Sequence, residues 1–102
     1  MINLNYTFSD KYTESTFKIR SAITDPDTGI VTDPTTVKIS IEDPDGVLDV
    51  DDTDMSKNGI GDYYYDYTIP ANVGAYRGHT VCTSATGLIT ITTFGFWAEA
   101  SI

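Results

Sequence analysis

The residues of this chain that could take part in chemistry are one histidine, one cysteine and a short run of aspartates. A general base needs a partner group within reach and a group that orients it, and the sequence around His79 supplies neither. Cys82 has the same strand parity as Tyr76, so we expect a buried, inert thiol with no nearby cation to lower its pKa. We therefore predict no catalytic residue and no enzyme.

The aspartate run lies at residues 49–54, where four carboxylates occur within six positions. Calcium is bound by six to eight oxygen ligands from a flexible loop, so Asp49, Asp51, Asp52 and Asp54 could supply hard ligands. The run has neither the glycine at position six nor the glutamate at position twelve of an EF-hand. We predict a solvated acidic loop that discourages edge pairing, with a Ca²⁺ site as the alternative and no other cofactor.

Two aromatic residues are candidates for a contact surface. Tyr64 has the opposite parity to the other tyrosines of its segment, and Trp97 has the opposite parity to Phe94 and Phe96. Exposed aromatic side chains stack on sugar rings or anchor protein interfaces. Tyr64 and Trp97 are therefore the predicted binding residues, and ordinary packing is the alternative.

Two-residue periodicity between Pro and Gly turns defines the elements that must position these side chains. Strand patterns cover residues 16–23, 36–42, 63–69, 76–85 and 88–98, with a shorter one at 47–50. Their spacing of about ten residues predicts an all-β fold, an Ig-like β-sandwich of about seven antiparallel strands in two sheets. The residues predicted to face inward are Phe17, Ile19, Ile23, Val37, Ile39, Ile41, Tyr63, Tyr65, Tyr67, Tyr76, Cys82, Phe94 and Phe96.

Length and charge limit the possible partners. We expect 102 residues to form a single domain over 1–102, with residues 1–12 as an edge strand or arm and 98–102 as a tail. One cysteine allows no intrachain disulfide, and the net charge of -9 disfavours nucleic acid and anionic membranes as partners. The start of the chain lacks a secretory signal pattern, so we expect it to be made in the cytoplasm.

The order of the turn and strand segments resembles small Ig-like virion proteins of tailed bacterial and archaeal viruses. The segments are Asp-Pro-Asp-Thr-Gly at 25–29, Asp-Pro-Thr-Thr-Val at 33–37, Gly-Ile-Gly-Asp-Tyr-Tyr-Tyr-Asp-Tyr-Thr-Ile-Pro at 59–70 and Gly-Ala-Tyr at 74–76. They are also similar to Ig-like modules of microbial surface proteins, and the resemblance covers roughly residues 16–97.

The resemblance implies structural roles for several residues. Gly61 would lead into a middle strand that carries Tyr63, Tyr65 and Tyr67. Tyr76 would take the tyrosine-corner position, whose hydroxyl bonds back to the backbone. Gly78 departs from the pattern, because a bulky residue is usual there.

The function that the resemblance implies is that of a non-enzymatic structural protein in a tailed-virus or prophage particle. Such a protein would decorate the capsid or belong to the neck or tail, and would pack against virion proteins as a homo- or hetero-oligomer. Residues 1–12 and 98–102 would be the docking elements. The alternative is a carbohydrate-binding or adhesion module at the cell surface, in which Tyr64 and Trp97 bind glycan with or without Ca²⁺.

Overall fold

Two β-sheets make up the fold, antiparallel except where β2 joins the second sheet, in this computed structural model of residues 2–4, 11–25, 28–30 and 33–100. The strands are β1 (Ile2–Leu4), β2 (Lys11–Tyr12), β3 (Thr16–Ile23), β4 (Thr36–Glu42), β5 (Leu48–Asp54), β6 (Ser56–Gly59), β7 (Asp62–Thr68), β8 (Gly74–Thr83) and β9 (Ile89–Glu99). A four-stranded sheet has the order β1-β3-β7-β6, and a five-stranded sheet has the order β2-β9-β8-β4-β5. The described residues contain no helix, and the predicted all-β sandwich of the Ig-like class is confirmed.

Strand register follows the two-residue periodicity of the sequence. In the four-stranded sheet, Phe17 pairs with Tyr67 and Ser21 pairs with Tyr63. In the five-stranded sheet, Tyr76 lies opposite Phe96. Because paired residues point to the same side of a sheet, these pairs direct large side chains from both sheets into the space between them.

The core consists of those inward-facing side chains. Its buried hydrophobic residues are Ile19, Ile23, Val37, Ile39, Ile41, Val50, Met55, Tyr63, Tyr67, Ile69, Tyr76, Cys82, Phe94, Phe96 and Ala98. Phe17 and Tyr65, also predicted to face inward, are partly buried and pack against this cluster. Rings from the two sheets meet at the centre, where Phe96 stacks on Tyr76 and receives the edge of Phe17, each with ring centres 5.0 Å apart.

Gly78 has a packing reason. A Cβ atom at this position would overlap the ring of Phe94 and lie 2.7 Å from the carbonyl oxygen of Ser40. The glycine therefore leaves the space that the Phe94 ring fills. The space that a bulky side chain at position 78 would fill is occupied instead by the ring of Phe94 on the neighbouring strand β9.

The structure differs from the predicted elements in three places. Residues 49–54 belong to edge strand β5 and not to a loop; register shifts occur in its pairing with β4, and Asp52 has a positive φ of 48°. Residues 56–59 form a separate strand, β6. Strand β9 continues to Glu99 with Ala98 fully buried, so the segment predicted as a tail begins inside the sheet.

The predicted N-terminal arm is only partly described. Strand β1 pairs antiparallel with β3, and β2 pairs parallel with Ala98 and Glu99 of β9. The remaining residues of the predicted arm, and residues 101–102 of the predicted tail, lie outside the described part of the chain.

Candidate functional site

His79 lies on the outer face of the five-stranded sheet. Its cross-strand neighbours are Ser40 on β4 and Thr93 on β9. The Ser40 hydroxyl accepts a hydrogen bond from the backbone N–H of Asp52 at 2.8 Å. A shallow groove of about 230 Å³ runs beside His79, and the carboxylate of Glu42 in this groove faces Arg77 at 3.5 Å. Ser40 is therefore bonded to the backbone of Asp52 and Glu42 is paired with Arg77, and no hydrogen bond links either of them to the imidazole of His79.

Cys82 is buried on the inner side of β8, with 6% of its surface exposed. Burial raises the pKa of its thiol, which keeps the sulfur protonated and unreactive at neutral pH. Its side chain lines a cavity between the sheets and packs as a small apolar group.

The four aspartates predicted as calcium ligands do not converge on one point: Asp51 is exposed, and the other three contact Tyr67 or Lys38. Asp49 accepts a 2.7 Å hydrogen bond from the hydroxyl of Tyr67. Asp52 and Asp54 lie 4.0 Å and 3.6 Å from the ammonium of Lys38. Across residues 11–25, 28–30 and 33–100, no three His, Cys, Asp or Glu side chains lie close enough together to hold a metal ion. The acidic run therefore forms a charged sheet edge.

Tyr64 and Trp97 lie on opposite outer faces of the sandwich. Tyr64 is on β7 in the four-stranded sheet, and Trp97 is on β9 in the five-stranded sheet, with half of its surface exposed. The ammonium of Lys18 lies 4.0 Å from the centre of the Tyr64 ring, so one face of that ring is already covered by a cation. The two aromatic residues do not form one binding surface.

The tyrosines predicted to be structural make contacts inside the fold. Tyr76 donates a hydrogen bond of 2.7 Å to the backbone carbonyl of Asn72. Burial raises the pKa of Tyr67, and its hydrogen bond to Asp49 raises that pKa further. Tyr65 lies between Tyr63 and Tyr67 on β7 and is half-buried.

Asp33 joins two segments at one end of the sandwich. Its carboxylate accepts hydrogen bonds from the ammonium of Lys57 at 2.7 Å, the backbone N–H of Gly61 at 2.9 Å and the hydroxyl of Tyr63 at 3.4 Å. Gly61 has a positive φ of 68°, as the β6–β7 turn requires. The ion pair with Lys57 and the bond from Gly61 lower the pKa of Asp33.

The β8–β9 hairpin lies at that same end of the sandwich and borders a cavity of about 290 Å³ between the sheets. The cavity is lined mainly by apolar groups, which include Ile23, Pro34, Cys82 and Leu88, and the side chain of Asp33 also reaches it. We call this region, formed by the hairpin, Pro34 and the Ile60–Gly61 turn, the hairpin end.

At the hairpin end, three consecutive or alternate residues around the start of β9 have exposed apolar side chains, Leu88 at 72%, Ile89 at 64% and Ile91 at 62%, and Ile60 in the β6–β7 turn is 66% exposed. We call Leu88, Ile89 and Ile91 the β9 strip. No charged residue occurs from Leu88 to Ala98, although the whole chain carries a net charge of -9. Exposed apolar residues that are contiguous mark interaction surfaces more often than scattered ones do.

The β9 strip was not among the predicted binding residues, although the sequence carries a signal for it. Ile89 and Ile91 have the opposite parity to Phe94 and Phe96, so one strand carries large apolar residues on both faces. In a half-exposed sheet, that pattern indicates that the outer face is covered by something else.

No protein-family model and no curated protein matches the chain. Among solved structures, the crystal structure of CopC from Methylosinus trichosporium OB3b is similar, with a TM-score of 0.65 and 20% sequence identity. The similarity covers 100% of this chain and 97% of that chain. At this identity it shows the shared fold, a β-sandwich.

This comparison corrects two predictions. CopC is a copper-binding periplasmic protein, which points away from the predicted virion structural protein. The copper binding of CopC likewise stands against the prediction of no cofactor, and the Ca²⁺ alternative fails because the acidic run forms no ligand cluster among the described residues. No helix in the described part of the chain is long and apolar enough to cross a membrane.

Proposed function

We propose that this protein is a non-enzymatic binding module that recruits another protein through the β9 strip at the hairpin end. The observation that carries the proposal is the exposure of Leu88, Ile89 and Ile91 in a segment without charge that runs from the hairpin turn into β9. Protein interfaces combine an apolar centre depleted of charge with a polar rim. The rest of this acidic chain supplies such a rim.

The cavity beneath the hairpin supports the same proposal. Leu88 is both exposed and part of the cavity lining, so the strip adjoins the cavity, whose lining also includes polar residues such as Asp25 and Asp33. A cavity of about 290 Å³ can accept a large side chain of a partner protein. A side chain anchored in a pocket is the usual centre of a protein interface.

Catalysis and metal binding receive less support from the described residues. Near His79, Ser40 is bonded to the backbone of Asp52 and Glu42 is paired with Arg77, and the thiol of Cys82 is buried with a raised pKa. Among the described residues, no three His, Cys, Asp or Glu side chains lie close enough together to hold a metal ion, so the structure offers less for a metal-binding role than for a protein-binding one.

We also propose that the protein is located outside the cytoplasm. CopC, which shares the fold, is periplasmic. A buried thiol and an acidic surface are compatible with that compartment. Fractionation of cells that produce the full natural protein would test the location independently of the binding role.

Site-specific photo-crosslinking tests the binding role. A photoreactive amino acid placed at Ile91 should give one discrete protein adduct in an extract of the native cells. The same amino acid at Asp66, an exposed position on the four-stranded sheet, is the matched control and should give none. Adducts of equal yield at both positions, or none at position 91, would contradict the proposal.

A double substitution measures the contribution of the strip. Replacing Ile89 and Ile91 by Ser should reduce recovery of that adduct's partner by at least about tenfold, because each isoleucine loses on the order of 1 kcal/mol or more of apolar contact. Val47 and Leu48 are also exposed and apolar but lie at the other end of the sandwich. The same double change there should leave recovery unaltered.

A further inference from the structure

One edge of the five-stranded sheet is available for pairing at the β9 strip. Strand β2 pairs only with Ala98 and Glu99 of β9. Within residues 2–4, 11–25, 28–30 and 33–100, no strand is hydrogen-bonded to Ile89–Thr93 on the side away from β8, although β1 of the other sheet approaches β9. Backbone groups at such an edge form a template for another strand.

The opposite edge of the same sheet is protected. Strand β5 carries four aspartates, and its pairing with β4 has register shifts. Charged side chains and bulges are the devices by which proteins prevent edge pairing. Of these two edges, only the β9 edge combines apolar side chains with an absence of charge.

Charge also selects the occupant. Two copies of a chain with a net charge of -9 repel each other, so they can meet closely only where neither surface carries carboxylates. The uncharged segment from Leu88 to Ala98 meets that condition. Pairing there leaves the acidic β5 edges at the two far sides of the joined sheets, which minimises their repulsion.

We propose that two copies of this chain form a symmetric dimer in which the Ile89–Thr93 segments pair antiparallel. This inference rests on the proposed function, because it identifies a second copy as a protein bound at the β9 strip. A two-fold axis at Ile91 would set Ile91 opposite its own equivalent and Ile89 opposite Thr93. Directly opposed side chains lie about 5 Å apart on one face, so four isoleucines would form one apolar row.

The dimer should be weak. Five residues from each copy bury much less than the roughly 800 Å² per partner of a stable interface. A dissociation constant on the order of micromolar is therefore expected. The assembly would join the two five-stranded sheets into one continuous sheet.

Sedimentation velocity over roughly 1–500 µM protein tests the dimer. The wild-type chain should shift from monomer to dimer with concentration. Ile91→Lys should weaken association by at least about tenfold, because it replaces an apolar pair at the axis by two facing ammonium groups. Ile60→Lys is the matched control, with the same charge change at a side chain that is 66% exposed in the β6–β7 turn, and should leave the dissociation constant within about twofold.

A complementary pair of variants tests the two-fold axis. Ile91→Lys and Ile91→Glu should each be monomeric alone and should form a heterodimer when mixed, because opposite charges then face each other. Circular dichroism checks that both variants keep the wild-type β-sheet spectrum. If the two variants are both folded and form no heterodimer when mixed, the proposed register, with Ile91 on the two-fold axis, is wrong.

The dimer and the proposed function can fail separately. A wild-type chain that stays monomeric up to 500 µM overturns the dimer, and the binding role still stands if position 91 crosslinks to a different protein. A monomeric chain without any adduct at position 91 overturns both. An adduct of twice the chain's mass, together with concentration-dependent dimerisation, supports both.

Discussion

At the scale of single residues, this fold depends on a few positions where the side chain fits the packing or the hydrogen bonding around it. Gly78 leaves space for the ring of Phe94, and Tyr76 stacks on Phe96 while its hydroxyl bonds to the backbone of Asn72. Thr80 is the exception, because its hydroxyl is the one buried side-chain polar atom in the described residues without a hydrogen-bond partner. Such a group carries a desolvation cost that nothing offsets.

Removing that hydroxyl should stabilise the protein. Thr80→Val keeps the side-chain shape and replaces the unpaired hydroxyl by a methyl group, so we expect the free energy of unfolding to rise by about 1 kcal/mol. Urea denaturation at pH 7 measures this change. Thr83→Val, at a half-buried position on the outer face, should change stability by less than about 0.5 kcal/mol. A Thr80→Val variant less stable than the wild type would contradict the prediction.

Adding a methyl group at Gly78 should have the opposite effect. Gly78→Ala brings a Cβ atom into the Phe94 ring and against the Ser40 carbonyl, so the free energy of unfolding should fall by about 1–3 kcal/mol. Gly59→Ala is the control, since a Cβ there meets no atom within 4 Å. Equal stabilities of the two variants would show that β8 and β9 move apart at no cost.

At the scale of elements, Asp33 attaches the segment before β4 to the β6–β7 turn. It accepts hydrogen bonds from Lys57 on β6, from Gly61 in the turn and from Tyr63 on β7. These contacts hold the hairpin end together next to the cavity. All three hydrogen bonds are strongest when the Asp33 carboxyl group is ionised, because a protonated carboxyl group is a weaker acceptor for Lys57, Gly61 and Tyr63.

Stability should therefore depend on pH through Asp33. Its pKa in the folded protein lies below the ordinary value of 3.8, first because of the hydrogen bond from Lys57. The stabilisation is fully present above that ordinary value and is lost as pH falls from there through the lowered pKa. Urea denaturation from pH 7 to pH 2.5 should show that Asp33→Asn destabilises the protein at pH 7 and has a shrinking effect below about pH 4.

Lys57→Met provides the second arm of that experiment. Because Lys57 is the largest cause of the shift, its removal should make the effect of Asp33→Asn smaller at neutral pH. A destabilisation by Asp33→Asn that stays constant from pH 7 to pH 2.5 would rule out the ionised contact.

At the scale of the whole molecule, charge and apolar surface are separated. The acidic β5 edge and the uncharged β9 segment lie on opposite sides of the five-stranded sheet. This separation keeps the protein dispersed while leaving one surface where another protein can approach. It is also why we expect self-association to be weak and sensitive to salt.

Added salt should strengthen the proposed dimer. Raising NaCl from about 20 mM to about 300 mM shortens the Debye length and screens the repulsion between two chains with a net charge of -9 each. The dissociation constant should fall several-fold in sedimentation velocity, and sucrose at equal osmolarity should not reproduce the effect. A dimer that dissociates in salt would have to be held by ion pairs and not by the β9 strip.

The amino-acid sequence determined the fold class and most of the core of this protein. Alternating residues such as Val37, Ile39 and Ile41 can bury one face only as a strand, so periodicity alone separates inside from outside. The Pro and Gly turns then divide the chain into segments of strand length. Strand periodicity and turn positions depend on residues close together in the chain, so they can be read from the sequence.

Only the tertiary structure decided which residues meet. Asp49 binds Tyr67 instead of joining its neighbours in a metal site, and Tyr64 and Trp97 lie on opposite faces because their strands belong to different sheets. The β9 strip likewise became a surface only once the sheet order left Ile89–Thr93 at an edge. Sheet order depends on contacts between residues far apart in the chain, and a periodicity of two carries no information about them.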